Sequence, residues 1–349
     1  MQQSSTIILG IESSCDDTAA AVIQDGKILA NIVANQEVHK AYGGVVPVLA
    51  SRAHQQNIVP VVDAALKKAN IEKSAVSAIA FTNGPGLLGS LMVGSSFAKA
   101  FALAMDIPLI EVNHMQGHIL AHFIREGDQS NLKDSATSAE IPEFPFICLT
   151  VSGGHTQIVK VTDYFKMEVL GETIDDAAGE AFDKVSKMLD LPYPGGPLLD
   201  KHAQKGNPNA FSFPHPKVPE LNYSFSGLKT SVLYFLKKEL QNNPDFISEN
   251  LNDICASVQK TIVDILLIQL KKAIKKTGIK TIALAGGVSA NSELRERFYA
   301  LEQGGLTTYI PKFEYCTDNA AMIAIAGYYK FLEKDFSTQN VTPNARMKV

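Results

Sequence analysis

The chain has no pair of neighbouring thiols, no basic leader, no excess of positive charge and no run of apolar residues read as long enough to span a bilayer. Each absence removes a class of protein. Its four cysteines, Cys15, Cys148, Cys255 and Cys316, lie far apart and make no C-x-x-C, so neither a disulfide framework nor a thiolate zinc site is expected. Free buried thiols are the simpler reading. The apolar window "IVDILLIQL" at 262–270 carries Asp264 and is too short to cross a membrane. "MQQSSTIILGIESS" lacks the basic start and apolar stretch of a secretion signal, so a soluble, cytoplasmic protein is expected. A formal charge of −4 carries no global signature of nucleic-acid binding, and the lysines at 271, 272, 275 and 276, like Arg295 and Arg297, read as solvated helix faces. What is present is a core former: 349 residues, 46% hydrophobic and 19% charged, enough for two domains.

One order of elements occurs twice. The first half reads as strands "TIILGIESS", "TAAAVIQ" and "KILANIVAN", a helix "SRAHQQNIVPVVDAALKKAN", a strand "VSAIAFT", the breaker "NGPG", a helix "LLGSLMVGSSFAKAFALAM" and a strand "PLIEVN". After a polar stretch come strands "FPFICLTVSGG", "HTQIVKVTD" and "KMEVLGETI", a helix "DDAAGEAFDKVSKMLD", a long helix near 250–277, a strand "IKTIALA", the breaker "GGVSAN", a helix "SELRERFYAL" and a strand "TTYIP". The repeat predicts a duplicated α/β fold, two lobes each with a mixed sheet flanked by helices and a cleft between them. The expected boundaries are 1–125 for the N-terminal lobe, 126–144 for a linker, 145–332 for the C-terminal lobe and 333–349 for a polar tail, whose C-terminal helix is expected to pack back on the N-terminal lobe. Glycine-rich turns follow strands in both halves ("GIESS", "NGPGLLG", "VSGGHT", "AGGVSAN"), and backbone N–H groups at such turns favour phosphate, which points to a nucleotide.

The stretch "VNHMQGHILAH" at 112–122 sets His114 and His118 at helical i, i+4 spacing. Side chains so placed stand about 5–6 Å apart on one face. They form a half-site for Zn²⁺ or Fe²⁺, or else a polar face packed under a loop. A metalloprotease of H-E-x-x-H type is excluded, because Met115 stands where its glutamate must be and Gln116 is no base. His122 continues the face and is read as packing or hydrogen bonding outside the site. A third ligand is offered by Asp318 in "YCTDNAAMIAIAGYY", where a carboxylate at the start of an Ala-rich helix also serves as a cap. Two histidines and one carboxylate leave coordination positions open, as in iron sites.

The order of elements resembles the actin, Hsp70 and sugar-kinase superfamily, the actin-like (ASKHA) fold. Ordinary members hold magnesium with an Asp in each of two turns, whereas here Glu12 stands in the first and "TVSGGHT" carries Ser152 and His155 but no acid, so an unmodified kinase is not expected. The motifs "GIESSCDDTA", "YGGVVP", "NGPGLLGSLMVG", "NHMQGH", "TVSGGHTQ", "GETIDDAAGEAFDKVSKMLDLPYPGGP", "YSFSGLKT", "AGGVSAN" and "CTDNAAM" carry a closer resemblance. They are similar to the tRNA threonylcarbamoyladenosine-forming transferases of bacterial TsaD type, from about residue 8 to 330.

That resemblance implies transfer of a threonylcarbamoyl group from threonylcarbamoyl-AMP to the exocyclic amine of the adenosine 3′ of the anticodon, in tRNAs reading codons that start with A. It implies His114, His118 and Asp318 as metal ligands, with one Fe²⁺ per subunit and Zn²⁺ as a substitute in purified protein. Thr150, Val151, Ser152, Gly153, Gly154, Asp183, Gly196, Asp200 and Asn291 would hold the adenylate. His155 would orient the donor or relay a proton, and Glu12 would order the metal side or accept one. The implied partners are tRNA, a non-catalytic TsaB-type paralogue and a TsaE-type P-loop ATPase, with no membrane. The chain departs from the family pattern at Val48 and Ala53, where relatives often carry acids, and at Gln116, where a Glu is frequent. The rival readings are a nucleotide-binding scaffold without turnover, and an actin-like ATPase or phosphotransferase.

Overall fold

The computed structural model describes residues 5–127 and 141–349. Strands β1 (Ile7–Glu12), β2 (Thr18–Gln24), β3 (Lys27–Ala34), β4 (Ala78–Gly84) and β5 (Leu109–Asn113) form one sheet in the order β3-β2-β1-β4-β5. Strands β6 (Phe146–Val151), β7 (Thr156–Asp163), β8 (Lys166–Glu172), β9 (Thr281–Ala285) and β10 (Thr307–Tyr309) form a second in the order β10-β9-β6-β7-β8. The two sheets share one topology. In the first, β1 pairs antiparallel with β2 and parallel with β4; in the second, β6 pairs antiparallel with β7 and parallel with β9. The expected duplicated actin-like fold with two mixed sheets is therefore present.

The helices are α1 (Pro47–Ala69), α2 (Leu88–Met105), α3 (His114–Leu120), α4 (Ala178–Met188), α5 (Gly195–Ala203), α6 (Ser226–Asn242), α7 (Phe246–Thr277), α8 (Ser292–Tyr299) and α9 (Ala320–Glu333). Helices α5 and α6 were not foreseen from the sequence. Their stretches carry glycine, proline and polar residues, which hid the periodicity that tertiary packing stabilises.

Chain contacts divide the molecule into one unit of Met1–Ile141 with Pro311–Val349, and another of Pro142–Ile310. This corrects the expected boundary at 332. Residues from Pro311 onward, including Asp318 and α9, belong with the first unit. Of the linker expected at 126–144, residues 128–140 lie outside the described residues. The physical reason for the boundary is a close approach: a Cβ on Gly10 of β1 would stand 2.7 Å from the carbonyl oxygen of Ala320, so only glycine lets α9 lie this close to the sheet. The faces of β1 alternate. Ile7, Leu9 and Ile11 enter the core with Ile58 and Val62 of α1 and Ala98 and Ala102 of α2, while Ile8, Gly10 and Glu12 point to the α9 side.

Among the described residues one helix, α2, is long and apolar enough to cross a membrane by length and composition. It packs on α1 and β4, burying Leu91, Gly94, Ala98 and Ala102 in the first unit. The window 262–270, by contrast, is a mostly buried part of α7.

Candidate functional site

In the first unit the site grows from the ends of β1 and β5. Helix α3 starts directly after β5, and the Asn113 side chain accepts from the N–H groups of Met115 (2.9 Å) and Gln116 (3.2 Å), which caps it. One helical turn then separates His114 from His118, whose rings meet edge to face at 4.7 Å. Both Nε2 atoms point at one oxygen: Asp318 Oδ1 lies 3.4 Å from that of His114 and 3.2 Å from that of His118.

The alternative reading of Asp318 as a helix cap is answered by its neighbour. Asn319, not Asp318, caps α9 by accepting from the N–H of Met322 at 3.1 Å, and this leaves the aspartate for the histidines.

Glu12 stands behind His114 as a fully buried carboxylate. Its Oε2 lies 3.1 Å from His114 Nδ1 and accepts from Thr82 Oγ1 at 2.6 Å, while Oε1 accepts from the N–H of Ser14. A carboxylate that accepts a hydrogen bond from Nδ1–H leaves Nε2 as the nitrogen that can offer a lone pair on the Asp318 side, the arrangement that commonly fixes metal-bound histidines. The ligand atoms of His114, His118 and Asp318 all lie within 4.8 Å of one another. Ligand atoms bonded to a first-row cation at about 2.0–2.2 Å stand roughly 3 Å apart, close to the 3.4 and 3.2 Å that separate Asp318 Oδ1 from the two imidazole nitrogens, so the donor set suits such an ion. His118 Nδ1 is buried without a hydrogen-bond partner among the described residues, so the polar contact of this ring is made through Nε2.

The electrostatics agree with a cation site. Burial pushes the Glu12 and Asp318 carboxyls up, but the charge and hydrogen bonding of the imidazoles outweigh this and hold Glu12 low and Asp318 well below the usual range. For His114, burial lowers the pKa, while Asp318 and Glu12 carry it well above that of a free imidazole. Asp17, in the "CDD" turn between β1 and β2, is pushed up to about 7 by burial and by Asp16, Asp318 and Glu12. Its signal in the sequence was the adjacent pair of acids.

In the second unit, Thr150 and Val151 are buried at the end of β6, with Ser152, Gly153 and Gly154 in the turn to β7. The Ser152 N–H donates to the carbonyl of His155 at 2.8 Å, the His155 N–H donates to Ser152 Oγ at 3.1 Å, and the Ser152 carbonyl accepts from Gly179 N–H at the start of α4 at 3.2 Å. The turn is thus held while Gly153 and Gly154 border open space. Asp183 on α4 accepts from the N–H groups of Gly195 (2.9 Å) and Gly196 (3.1 Å) through Oδ1 alone. Burial raises its pKa, with those two N–H groups opposing.

Asp200 and Asn291 are joined by a residue the sequence reading missed. Gln259, buried in α7, donates from Nε2 to Asp200 Oδ1 (3.0 Å) and accepts through Oε1 from Asn291 Nδ2 (2.8 Å). Asn291 Oδ1 caps α8 by accepting from Leu294 N–H at 3.0 Å, and Ser292 Oγ donates to Asp200 Oδ1 at 2.5 Å. A glutamine inside an amphipathic helix gives no sign in sequence of what it will meet; only the fold brings α5, α7 and α8 together. Thus His114, His118, Asp318 and Glu12 meet in one unit, and the residues expected to hold an adenylate lie in the other as three groups: the β6 turn, the Asp183–Gly196 contact and the Asp200–Gln259–Asn291 chain.

Fold and centre define a class: a duplicated actin-like α/β protein with two imidazoles and a carboxylate at the strand ends of its first unit. In fold alone it is similar to the crystal structure of full-length HypF in its phosphate- and nucleotide-bound form, with a TM-score of 0.61 at 13% identity over 97% of this chain and 48% of that one. The family model for TsaD, tRNA N6-adenosine threonylcarbamoyltransferase, matches residues 27–325. A protein of that name from Christiangramia forsetii is 65% identical, covering 98% of both chains, and one from Cytophaga hutchinsonii is 59% identical over 100% of this chain and 98% of its own. The chain belongs to the TsaD family of tRNA N6-adenosine threonylcarbamoyltransferases.

Proposed function

We propose that this chain transfers the threonylcarbamoyl group of threonylcarbamoyl-AMP to the exocyclic amine of the adenosine 3′ of the anticodon, in tRNAs reading codons that start with A. The observation that carries the reading, within the family, is the convergence of His114 Nε2 and His118 Nε2 on Asp318 Oδ1 with Glu12 behind. The donor is a mixed anhydride, so its carbonyl is already activated. The amine nitrogen bonds to the carbonyl carbon, the bond from that carbon to the phosphate oxygen breaks, AMP leaves and the amine gives up a proton.

His114, His118 and Asp318 are the residues that would hold one Fe²⁺ per subunit, or Zn²⁺ in its place. Such an ion supplies Lewis-acid polarisation of a donor oxygen. Glu12 holds the His114 ring in the tautomer that leaves Nε2 free, so we assign it positioning rather than proton acceptance. The Ser152 N–H is taken by the His155 carbonyl, so the amides of Gly153 and Gly154 are the donors this turn offers to phosphate or carbamoyl oxygens, against which charge builds as AMP departs. Asp183 Oδ2 makes no hydrogen bond among the described residues and suits a ribose hydroxyl. Gly196 gives close access beside it, and Asn291 keeps one donor and one acceptor site beyond its two bonds. Asp200 completes the sugar side, and His155 orients the donor or passes on the proton.

For partners we infer a TsaB-type paralogue and a TsaE-type P-loop ATPase. Leu88, Met92 and Leu103 of α2 and Val59 of α1 are large, apolar and exposed, which supports docking of the paralogue on this helix pair. A net acidic chain also needs a basic groove of its own or from a partner to hold a polyanion. Work on tRNA without a membrane partner suits the cytoplasm.

The test is direct. The purified chain and its partners, mixed with threonylcarbamoyl-AMP and unmodified tRNA, should yield threonylcarbamoyladenosine on nucleoside digestion and mass analysis; unmodified adenosine in every fraction would refute the reading.

A further inference from the structure

The metal-binding helix is anchored from a distant part of the chain. Strand β5 is the outer strand of its sheet, and the segment beginning at Ser337 runs along it: Ser337 N–H donates to the Leu109 carbonyl at 2.8 Å and Ser337 Oγ accepts from Glu111 N–H at 2.9 Å. Lys99 of α2 then binds the Val341 carbonyl. Further on, Asn344 N–H donates to the Asn83 carbonyl at 2.8 Å, and Gly86 N–H donates to the Ala345 carbonyl at 3.3 Å. The segment lies hard against the β4–α2 turn. A Cβ on Gly84, whose φ is +155°, would collide with the Asn344 backbone. It then reaches the β5–α3 junction, where the Lys348 carbonyl accepts from Asn113 Nδ2 at 2.8 Å.

We propose that residues 337–348 act as a strap that positions α3, with Asn113 as the residue through which it acts; the inference rests on the metal reading of His114, His118 and Asp318. A carbonyl can only accept, so Lys348 selects which end of the Asn113 amide faces it. The other end, Oδ1, is thereby turned toward the N–H groups of Met115 and Gln116. Helix α3 has 7 residues, its first is His114, and His118 follows one turn later. Short helices lack the length to hold themselves, so their start governs the placement of everything on them. The strap thus sets the direction of both imidazoles without touching either. Asn113 is a positioning residue.

The experiment uses Co²⁺ as probe on the full-length, chelator-treated protein. It reads Co²⁺ affinity, the visible Co²⁺ absorption spectrum and the Tm of the metal-free form. Asn113→Asp keeps an acceptor for the helix N–H groups but cannot donate to Lys348, Asn113→Ala loses both bonds, and a deletion of residues 344–349 keeps the contacts of Ser337 and Val341. Asn113→Asp and the deletion should each weaken Co²⁺ binding roughly three- to tenfold, Asn113→Ala more, with altered band shape in all three. Unchanged affinity and spectrum in Asn113→Asp and in the deletion, whatever their Tm, would overturn the strap. Failure of the unaltered protein to bind Co²⁺ would overturn the metal reading beneath it and the strap with it. Wild-type binding with indifferent variants overturns the strap alone.

Discussion

Glu12 makes three hydrogen bonds from a fully buried carboxylate, and one of them is to His114 Nδ1. A glutamine there offers one acceptor and one donor in place of two acceptors, so it cannot serve Ser14, Thr82 and His114 together. Glu12→Gln should therefore weaken metal affinity about 10- to 100-fold, the usual cost of losing a partner of a ligating histidine, as measured by competition with a chromophoric chelator. The same reasoning applies to Gln259. Gln259→Leu strips Asp200 and Asn291 of a partner each, and a buried polar group left unpaired costs about 1–3 kcal/mol. The expected result is at least a tenfold loss of affinity for AMP by calorimetry. Metal content should stay unchanged, because every residue involved lies in the second unit.

At the scale of elements, the convergence of His114, His118 and Asp318 depends on how α3 and α9 begin. Asn319 caps α9 and so frees Asp318. Asn319→Ala should destabilise the protein by about 1 kcal/mol in denaturant unfolding and also weaken metal binding, since Asp318 is drawn toward the vacant cap. The proton on His114 has a sign that can be worked out. Its folded pKa is raised, so the stability it contributes to the metal-free protein is full below the unfolded value of about 6.5 and is lost as pH rises through the folded value. The Tm of chelated protein should fall on going from about pH 6 to about pH 9, and His114→Ala should flatten that slope. With Zn²⁺ present the trend should weaken or reverse, because the cation replaces the proton and its affinity rises with pH.

At the scale of the whole molecule, the helix pair α1 and α2 buries one side in the first unit and leaves Leu88, Met92 and Leu103 exposed on the other. Replacing an exposed leucine by a charged residue does not disturb a core. Leu103→Glu should accordingly leave the Tm of the single chain within about 1 °C. It should abolish co-elution with the paralogue on a sizing column if α2 is the docking face. A complex of unchanged stability would exclude that face.

Much of this was legible in the sequence. Period-two strands, glycine turns and their repetition implied two equivalent sheets, and i, i+4 spacing implied the His114–His118 half-site, because these signals are local and set by backbone geometry. The motifs identified the family. Three things waited for the fold: that Asp318 serves the histidines while Asn319 caps α9, that Pro311–Val349 returns to the first unit, and that Gln259 joins Asp200 to Asn291. Each depends on residues that lie far apart along the chain meeting in space. No local periodicity records such a meeting; it is decided when apolar faces are buried against one another, as where α9 settles onto the face of β1 that Gly10 leaves open.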